Sequence, residues 1–493
     1  GRSDRAELSV VTAEWVVLKQ KSYCYKKKGV NFLKEQRLIN IKSLPERNYI
    51  LILLVTLGIF LRFFNLGVIP GPAFDEVYYP VFALDFLSGK DYFSVHPPVG
   101  VYLTSISIYL YSVLPWTDSL ISTGFEIENL SSISYRWLPA VVGSSLTYIA
   151  YLVCLQIHSN KNFALLVAFY FCVDGSMLVD SRFGLINIYL VFFGFLGLLF
   201  FLRMIKATGN SWHLLLSSLC LGLSIAVKWN GLGFLAVAVC FMLFLSFTRL
   251  RGYKFTTEEV IGEYSQRKAL IPLIALTTLV YFAAWGPYFS KVGEMDYLNK
   301  HSQLLSFHAE NTDEKTHPYE SRWFTWPLVV RPMGYYFKSV ENSVIELDEK
   351  TVFTSVHLLP NPVLYWCSFV AVIILGGRLM LSTAKLIDSK LIDSNYLFMF
   401  FVTLGYLGNF LPWSLVSRST FIYHYQPSSG FAFLALAFLM TELIEDKKQF
   451  GSQLYLLILI MICLSGFYWI PLQLGLSITS DYFYGLMWFK SWI

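Results

Sequence analysis

Residues 49–79 read YILILLVTLGIFLRFFNLGVIPGPAFDEVYY, an apolar run closed by an acidic pair. The run 49–66 has the length that a bilayer core of roughly 30 Å demands of a helix. Its only charged residue is Arg62, near its end. Gly71 and Pro72 then break the pattern, and Asp75-Glu76 comes within ten residues of the apolar stretch. A membrane anchor with two carboxylates directly beyond it sets the terms for the rest of the chain.

The same kind of run recurs. Apolar stretches cover 135–157, 163–179, 185–204, 213–227, 231–247, 270–289, 362–380, 396–413, 421–443 and 454–474. With the first, the expected fold is an all-α polytopic membrane protein of about 11 transmembrane helices. Composition agrees: 55% of the 493 residues are hydrophobic and only 14% are charged, with a net charge of +5. Soluble domains carry about 25% charged residues. Six of the seven cysteines lie in apolar runs and Cys24 stands alone, a pattern of small buried hydrophobes without disulfide or zinc spacing. Nothing suggests a nucleic-acid partner.

Basic residues orient the chain. Eleven Lys/Arg precede the first run, whereas residues 67–134 contain Lys90 alone. Further clusters (Arg249 to Lys268, Arg378 to Lys390, Lys447-Lys448) fall on the amino-terminal side of the alternating spans. The positive-inside rule makes that side cytoplasmic. The expected organisation is a basic cytoplasmic segment 1–48, a transmembrane module 49–289 with external loop 67–134, a second external loop 290–361, a transmembrane module 362–474 and an external tail 475–493. Residues 1–48 show no signal-peptide cleavage pattern, so the first apolar run is expected to stay as an anchor in the inner or plasma membrane. Residues 97–114 read as a helix lying in the interface.

Two features of the first loop carry chemistry. Asp75-Glu76 suits either a helix N-terminus or a general base that takes a proton from an attacking hydroxyl. His96 precedes Pro97-Pro98, which stiffen the chain and keep the histidine out of a helix. Asp75, His96, Arg136, Arg182, Lys228, His317, Arg331, Arg418 and His424 all map to the external ends of spans or to external loops. Ionisable groups at membrane depth are costly and usually face a cavity, so one polar site is expected there. His301, His308 and His317 have no metal-ligand spacing, and Glu310, Asp313 and Glu314 make no cation-loop pattern.

In sequence order, FDEVYYPVFALDFLSGKDYFSVHPPVGVYL, SYRWLPAVVG, DGSMLVDSRFGLIN, AVKW, HPYESRWFTWPLVVRPMGYYF from His317 and GYLGNFLPWSLVSRSTFIYHYQPS resemble the protein O-mannosyltransferase family over residues 62 to about 440. The resemblance implies a C-type glycosyltransferase architecture with interfacial helices in the first external loop. It implies an inverting transfer of mannose from a polyprenyl-phosphate donor to Ser/Thr hydroxyls of secreted or membrane proteins. Asp75 would be the base and Glu76 its neighbour, orienting the acceptor or tuning Asp75 by like charge. Arg136 and Arg418, then Lys228 and Arg331, would hold the donor phosphate; Arg62, His96, His317 and His424 would shape the loops and the substrate site. No metal or other cofactor is expected, because cations already stabilise the leaving phosphate. Asn187 departs from the aspartate common in the family, and the second loop is too short for the β-trefoil domain of eukaryotic relatives. Two other readings keep a place: the same fold and donor class with a different sugar or a lipid or envelope-glycan acceptor, and a membrane transporter. Paired Gly/Pro-broken spans, a mark of many transporters, are absent from the two halves.

Overall fold

A computed structural model describes residues 46–206, 211–256, 263–292, 296–310, 317–341, 351–445 and 449–493. Residues 51–493 form a compact unit, the second of the chain's two. Apart from residues 46–50, the described residues all belong to the second unit. The basic segment 1–45 and the acidic residues Asp313 and Glu314 lie outside the described residues.

Each apolar run of the sequence lies on helix. α1 is Glu46–Phe63; α2, Tyr79–Ser88, and α3, Val99–Ser112, occupy the first loop. Then come α4 (Ile133–Ile157), α5 (Lys161–Val173), α6 (Gly175–Asp180), α7 (Asn187–Lys206), α8 (Ser211–Val227) and α9 (Leu232–Leu250). α10 (Glu263–Ala283), α11 (Gly286–Val292) and α12 (Tyr297–Glu310) lead into the second loop. α13 (Pro362–Ser389), α14 (Ser394–Phe410), α15 (Gln426–Glu445) and α16 (Gln449–Leu474) complete the bundle, and α17 (Ser480–Leu486) comes last. Among the described residues eight helices are long and apolar enough to cross a membrane, while α1, α3, α5 and α8 are apolar but shorter. The run at 163–179 is broken because Asp174 ends α5 and caps α6, its carboxylate accepting the N–H groups of Ser176 and Met177.

Burial sorts the bundle. α15 lies at its centre, 78% buried over its span, whereas α10, α13 and α16 are 22–28% buried. Their outer faces expose Ile271, Leu279, Ile373, Leu457 and Phe467. Apolar surface on this scale is unfavourable in water and suits lipid. The protein is a multi-pass membrane protein.

The loops contain more than helix. A short parallel pair joins β1 (Lys254–Phe255) to β4 (Leu391–Ile392). β2 (Met333–Glu341) and β3 (Thr351–Leu358) form an antiparallel ladder, and β5 (Ser477–Thr479) adds to the far edge of β3. Residues 475–493, expected as a separate tail, therefore share a sheet with the second loop. Trp492 is fully buried and donates to the carbonyl of Val329.

Candidate active site

The chain between α1 and the acidic pair is pinned by two arginines. A helix ends with carbonyls that lack partners. At the end of α1 Arg182 meets this need, its Nη1 donating to the carbonyls of Leu61, Arg62 and Phe64 at 2.8–3.1 Å. The cation also complements the negative end of the helix dipole. Arg136, on the first turn of α4, takes the next stretch: its Nη groups donate to the carbonyls of Ile69 (2.7 Å) and Gly71 (2.8 Å), with a longer bond to Leu66.

Glu76 closes the clamp. It receives Nε and Nη2 of Arg136 at 2.8 and 2.6 Å, the N–H of Gly184 at 2.7 Å and the N–H of Ala73 at 2.9 Å. The two side chains are 0% and 1% exposed. Every carboxylate lone pair and every guanidinium N–H is engaged, so the expectations for this pair are corrected. Arg136 has no N–H left for a phosphate, and Glu76 has no oxygen left for an acceptor. Gly184 is required here because a Cβ would stand 2.9 Å from the Tyr135 ring.

Asp75, next to this clamp, is placed differently. Phe74 holds φ = +55°, a left-handed conformation costly for a bulky residue. Its ring stacks on Tyr335 at 4.5 Å and meets the edge of Tyr423 at 6.3 Å. The turn thus aims Asp75 away from Glu76. Among the described residues no hydrogen bond engages its carboxylate. Burial lifts its pKa to about 6, Lys228 opposing the rise and Asp180 adding to it. Glu76 is paired with Arg136 instead.

Lys228 stands between α8 and α9, where the helix is interrupted, and is 5% exposed. Its ammonium donates to Oδ1 of Asn187 (3.2 Å), lies 3.4 Å from Nε2 of His424, and sits over the Tyr423 ring at 5.1 Å. The tautomer that lets His424 accept this proton keeps its own on Nδ1, donated to the carbonyl of Phe421. Burial and the nearby Arg418 pull Lys228 down to about 7.

Lys228 lines a cavity of about 730 Å³ together with His96, Trp229, Asn409, Trp413 and Arg418. Among the described residues Arg418 makes one long bond, to the carbonyl of Ser419 at 3.4 Å, which leaves most of its donors uncommitted to them. His96 is buried and stacked on His308 at 5.8 Å; His308 bonds to the carbonyl of Val95 and is lowered to about 4 by burial and Arg418. Burial pushes both imidazoles toward the neutral form. Leu232, Ala236, Leu305 and Val416 make the cavity's apolar wall. Two cations at one end of such a wall suit an anion that carries a hydrocarbon chain.

The remaining candidates fall elsewhere. Arg331 donates to the carbonyls of Pro318, Ser491 and Ile493 and lies over the Tyr319 ring, so it ties the second loop to the final turn instead of facing the cavity. Arg62 is fully buried, bonded to the carbonyls of Gly58 and Phe171; it packs α1 on α5 and does not shape a loop. His317 is exposed, edge-on to Phe421. The structure thus brings together Asp75, Lys228, His96, His424 and Arg418. It adds one group that the motifs do not single out: Asp180, fully buried, accepts from Tyr335 (2.9 Å) and Asn187 (3.4 Å). The signal is present in the sequence, since an aspartate in an otherwise apolar stretch is costly and asks for a partner. Among the described residues no group of three or more His, Cys, Asp or Glu is arranged to hold a metal ion. A larger groove of about 970 Å³ between α13, α15 and α16 is mostly apolar and far from this chemistry.

A multi-pass helical body with a carboxylate and two cations gathered at one end of the bundle has the C-type glycosyltransferase architecture. The family model described as "Dolichyl-phosphate-mannose-protein mannosyltransferase" matches residues 52–291, and that of the "C-terminal four TMM region of protein-O-mannosyltransferase" matches residues 293–492. The chain belongs to the protein O-mannosyltransferase family. It is 23% identical to the polyprenol-phosphate-mannose–protein mannosyltransferase of Mycolicibacterium smegmatis, covering 89% of this chain and 92% of that protein. The Corynebacterium glutamicum protein of the same name is 21% identical, with 85% and 88% covered. The S. cerevisiae protein O-mannosyltransferase Pmt1–Pmt2 complex, solved with its sugar donor, superposes with a TM-score of 0.74 at 14% identity, over 94% of each chain.

Proposed function

We propose that the protein transfers mannose from a polyprenyl-phosphate carrier to Ser/Thr hydroxyls of secreted or membrane proteins. Full-length similarity to bacterial proteins of that name supports the sugar, the carrier and the acceptor class. The observation that carries the chemistry is the placement of Asp75, with no protein hydrogen bond among the described residues, within electrostatic reach of Lys228, which lines the cavity with Arg418. The carbonyl-and-arginine clamp fixes its position.

In the reaction the acceptor hydroxyl gives its proton to Asp75 as its oxygen bonds to the anomeric carbon. The bond from that carbon to the phosphate oxygen breaks, and its electron pair leaves with the phosphate. A single displacement inverts the anomeric centre. Lys228 and Arg418 hold the phosphate as negative charge develops on it, an electrostatic contribution largest where water is excluded. These cations make a metal unnecessary. The site faces the exterior and residues 1–48 the cytoplasm, on the strength of the Lys/Arg asymmetry.

The direct experiment incubates purified protein with radiolabelled polyprenyl-phosphate-mannose and a Ser/Thr-rich peptide. Label in the peptide supports the reading. Label confined to a lipid or glycan fraction overturns the acceptor assignment, and solute flux in vesicles without donor turnover overturns the enzyme.

The cavity gives two further expected results. Arg418→Ala is expected to raise the donor KM about tenfold, the value of one charge-assisted contact of roughly 1.4 kcal/mol. An unchanged KM would remove Arg418 from the phosphate site. The pH profile of kcat/KM should be a narrow bell. Asp75 must be ionised, so activity rises as pH passes about 6. Lys228 must be protonated, so it falls as pH passes about 7. Bound phosphate favours the ammonium, so the alkaline limb of kcat should lie higher than that of kcat/KM. A flat profile between pH 5 and 8 would contradict both assignments.

A further inference from the structure

Asn187, on the first turn of α7, stands between two buried groups of opposite charge. Its Nδ2 donates to Oδ1 of Asp180 at 3.4 Å, and its Oδ1 accepts from the Lys228 ammonium at 3.2 Å. The amide cannot turn over, because the reverse orientation would set its NH₂ against the ammonium and its oxygen against the carboxylate. Asp180 is held in turn by the Tyr335 hydroxyl at 2.9 Å, from the far side of the site. A chain of contacts therefore runs from β2 through Asp180 and Asn187 to the cavity cation.

We propose that Asn187 is a positioning residue: its amide spaces Lys228 from Asp180, keeping the ammonium charged, aimed into the cavity and free to pair with the donor phosphate. The inference rests on the reading of Lys228 as a phosphate cation. The physical point is one of competition. A carboxylate touching Lys228 would neutralise it in place, and the incoming phosphate would have to displace that partner and tolerate its charge. An apolar residue would leave the buried ammonium one partner short and drive it toward the neutral amine. A primary amide avoids both, because it offers the ammonium an oxygen without offering a charge. The groups facing Lys228 are Asp75, Asp180, Arg418, the imidazoles of His424, His96 and His308, and the Tyr423 ring. Asn187 is the neutral member of that shell in direct contact with both Lys228 and Asp180.

The test compares Asn187→Asp, which keeps size and shape, and Asn187→Ala with the unaltered protein. Two readouts are taken: the pH profile of kcat/KM for the donor, and the pH dependence of binding to polyprenyl phosphate without sugar, which needs no turnover. Asn187→Asp should move the alkaline limb up by about one pH unit and Asn187→Ala should move it down, both with a donor KM raised about tenfold. A residue that merely packs α7 would not shift the limb in opposite directions. An unmoved limb in Asn187→Asp, or shifts of the same sign in both variants, overturns the proposal. If Asn187→Ala does not fold, the isosteric Asp variant alone decides by the direction of its shift. Unaltered protein that binds polyprenyl phosphate but moves no mannose would defeat the proposed function, and the binding limb would still judge Asn187.

Discussion

Asp75→Asn is expected to remove transfer almost completely, with kcat falling about 1,000-fold and the donor KM little changed. An amide of the same shape cannot accept the acceptor's proton, and general-base catalysis by a positioned carboxylate contributes about 10²–10⁴ to rate. The substitution leaves the fold alone, because no hydrogen bond among the described residues engages the Asp75 carboxylate and burial already disfavours its charge. The variant should unfold at least as late as the unaltered protein. Measured together, single-turnover transfer and thermal unfolding separate chemistry from structure. Retention of more than a tenth of the rate would move the base elsewhere.

The adjacent carboxylate behaves in the opposite way. Glu76→Ala leaves the Arg136 guanidinium in a fully buried site without its counter-ion. Breaking a buried pair by removing one partner costs about 3–5 kcal/mol. The N–H groups of Ala73 and Gly184 lose their acceptor as well. The expected outcome is a protein that accumulates poorly, or that unfolds at markedly lower temperature in detergent, with donor affinity lost in step with folded protein. Arg136→Ala should give the same result. If either variant remains stable and shows only a raised donor KM, the clamp is not structural and Arg136 is a phosphate ligand after all.

That contrast marks what the sequence discloses. Asp75, Lys228 and Arg418 are legible because a charged side chain at the end of an apolar run has few inexpensive places to be. Arg136 satisfies the same description, yet its N–H groups are all taken up by Glu76 and backbone carbonyls. Its partner lies 60 residues earlier, and no local spacing announces a pairing of that kind. Arg331 misleads for a related reason: its bonds go to backbone carbonyls of Ser491 and Ile493, and carbonyls are invisible to any motif. The helices are readable from hydropathy, yet the three-stranded sheet is not, since its strands lie outside the apolar runs and β5 joins β3 across more than a hundred residues. Asp180 sits within the stretch DGSMLVDSRFGLIN but gains meaning only through Tyr335, which reaches it from β2.

The pairing of β5 with β3 carries a consequence for biosynthesis. Helices enter the bilayer one after another as the ribosome delivers them, so the cation cavity can take shape while the chain is still growing. The ladder that carries Tyr335 toward Asp180 gains its third strand only when residues 477–479 emerge, long after β3 has been made. Completion of this sheet is thus deferred until α13 to α16 have been made.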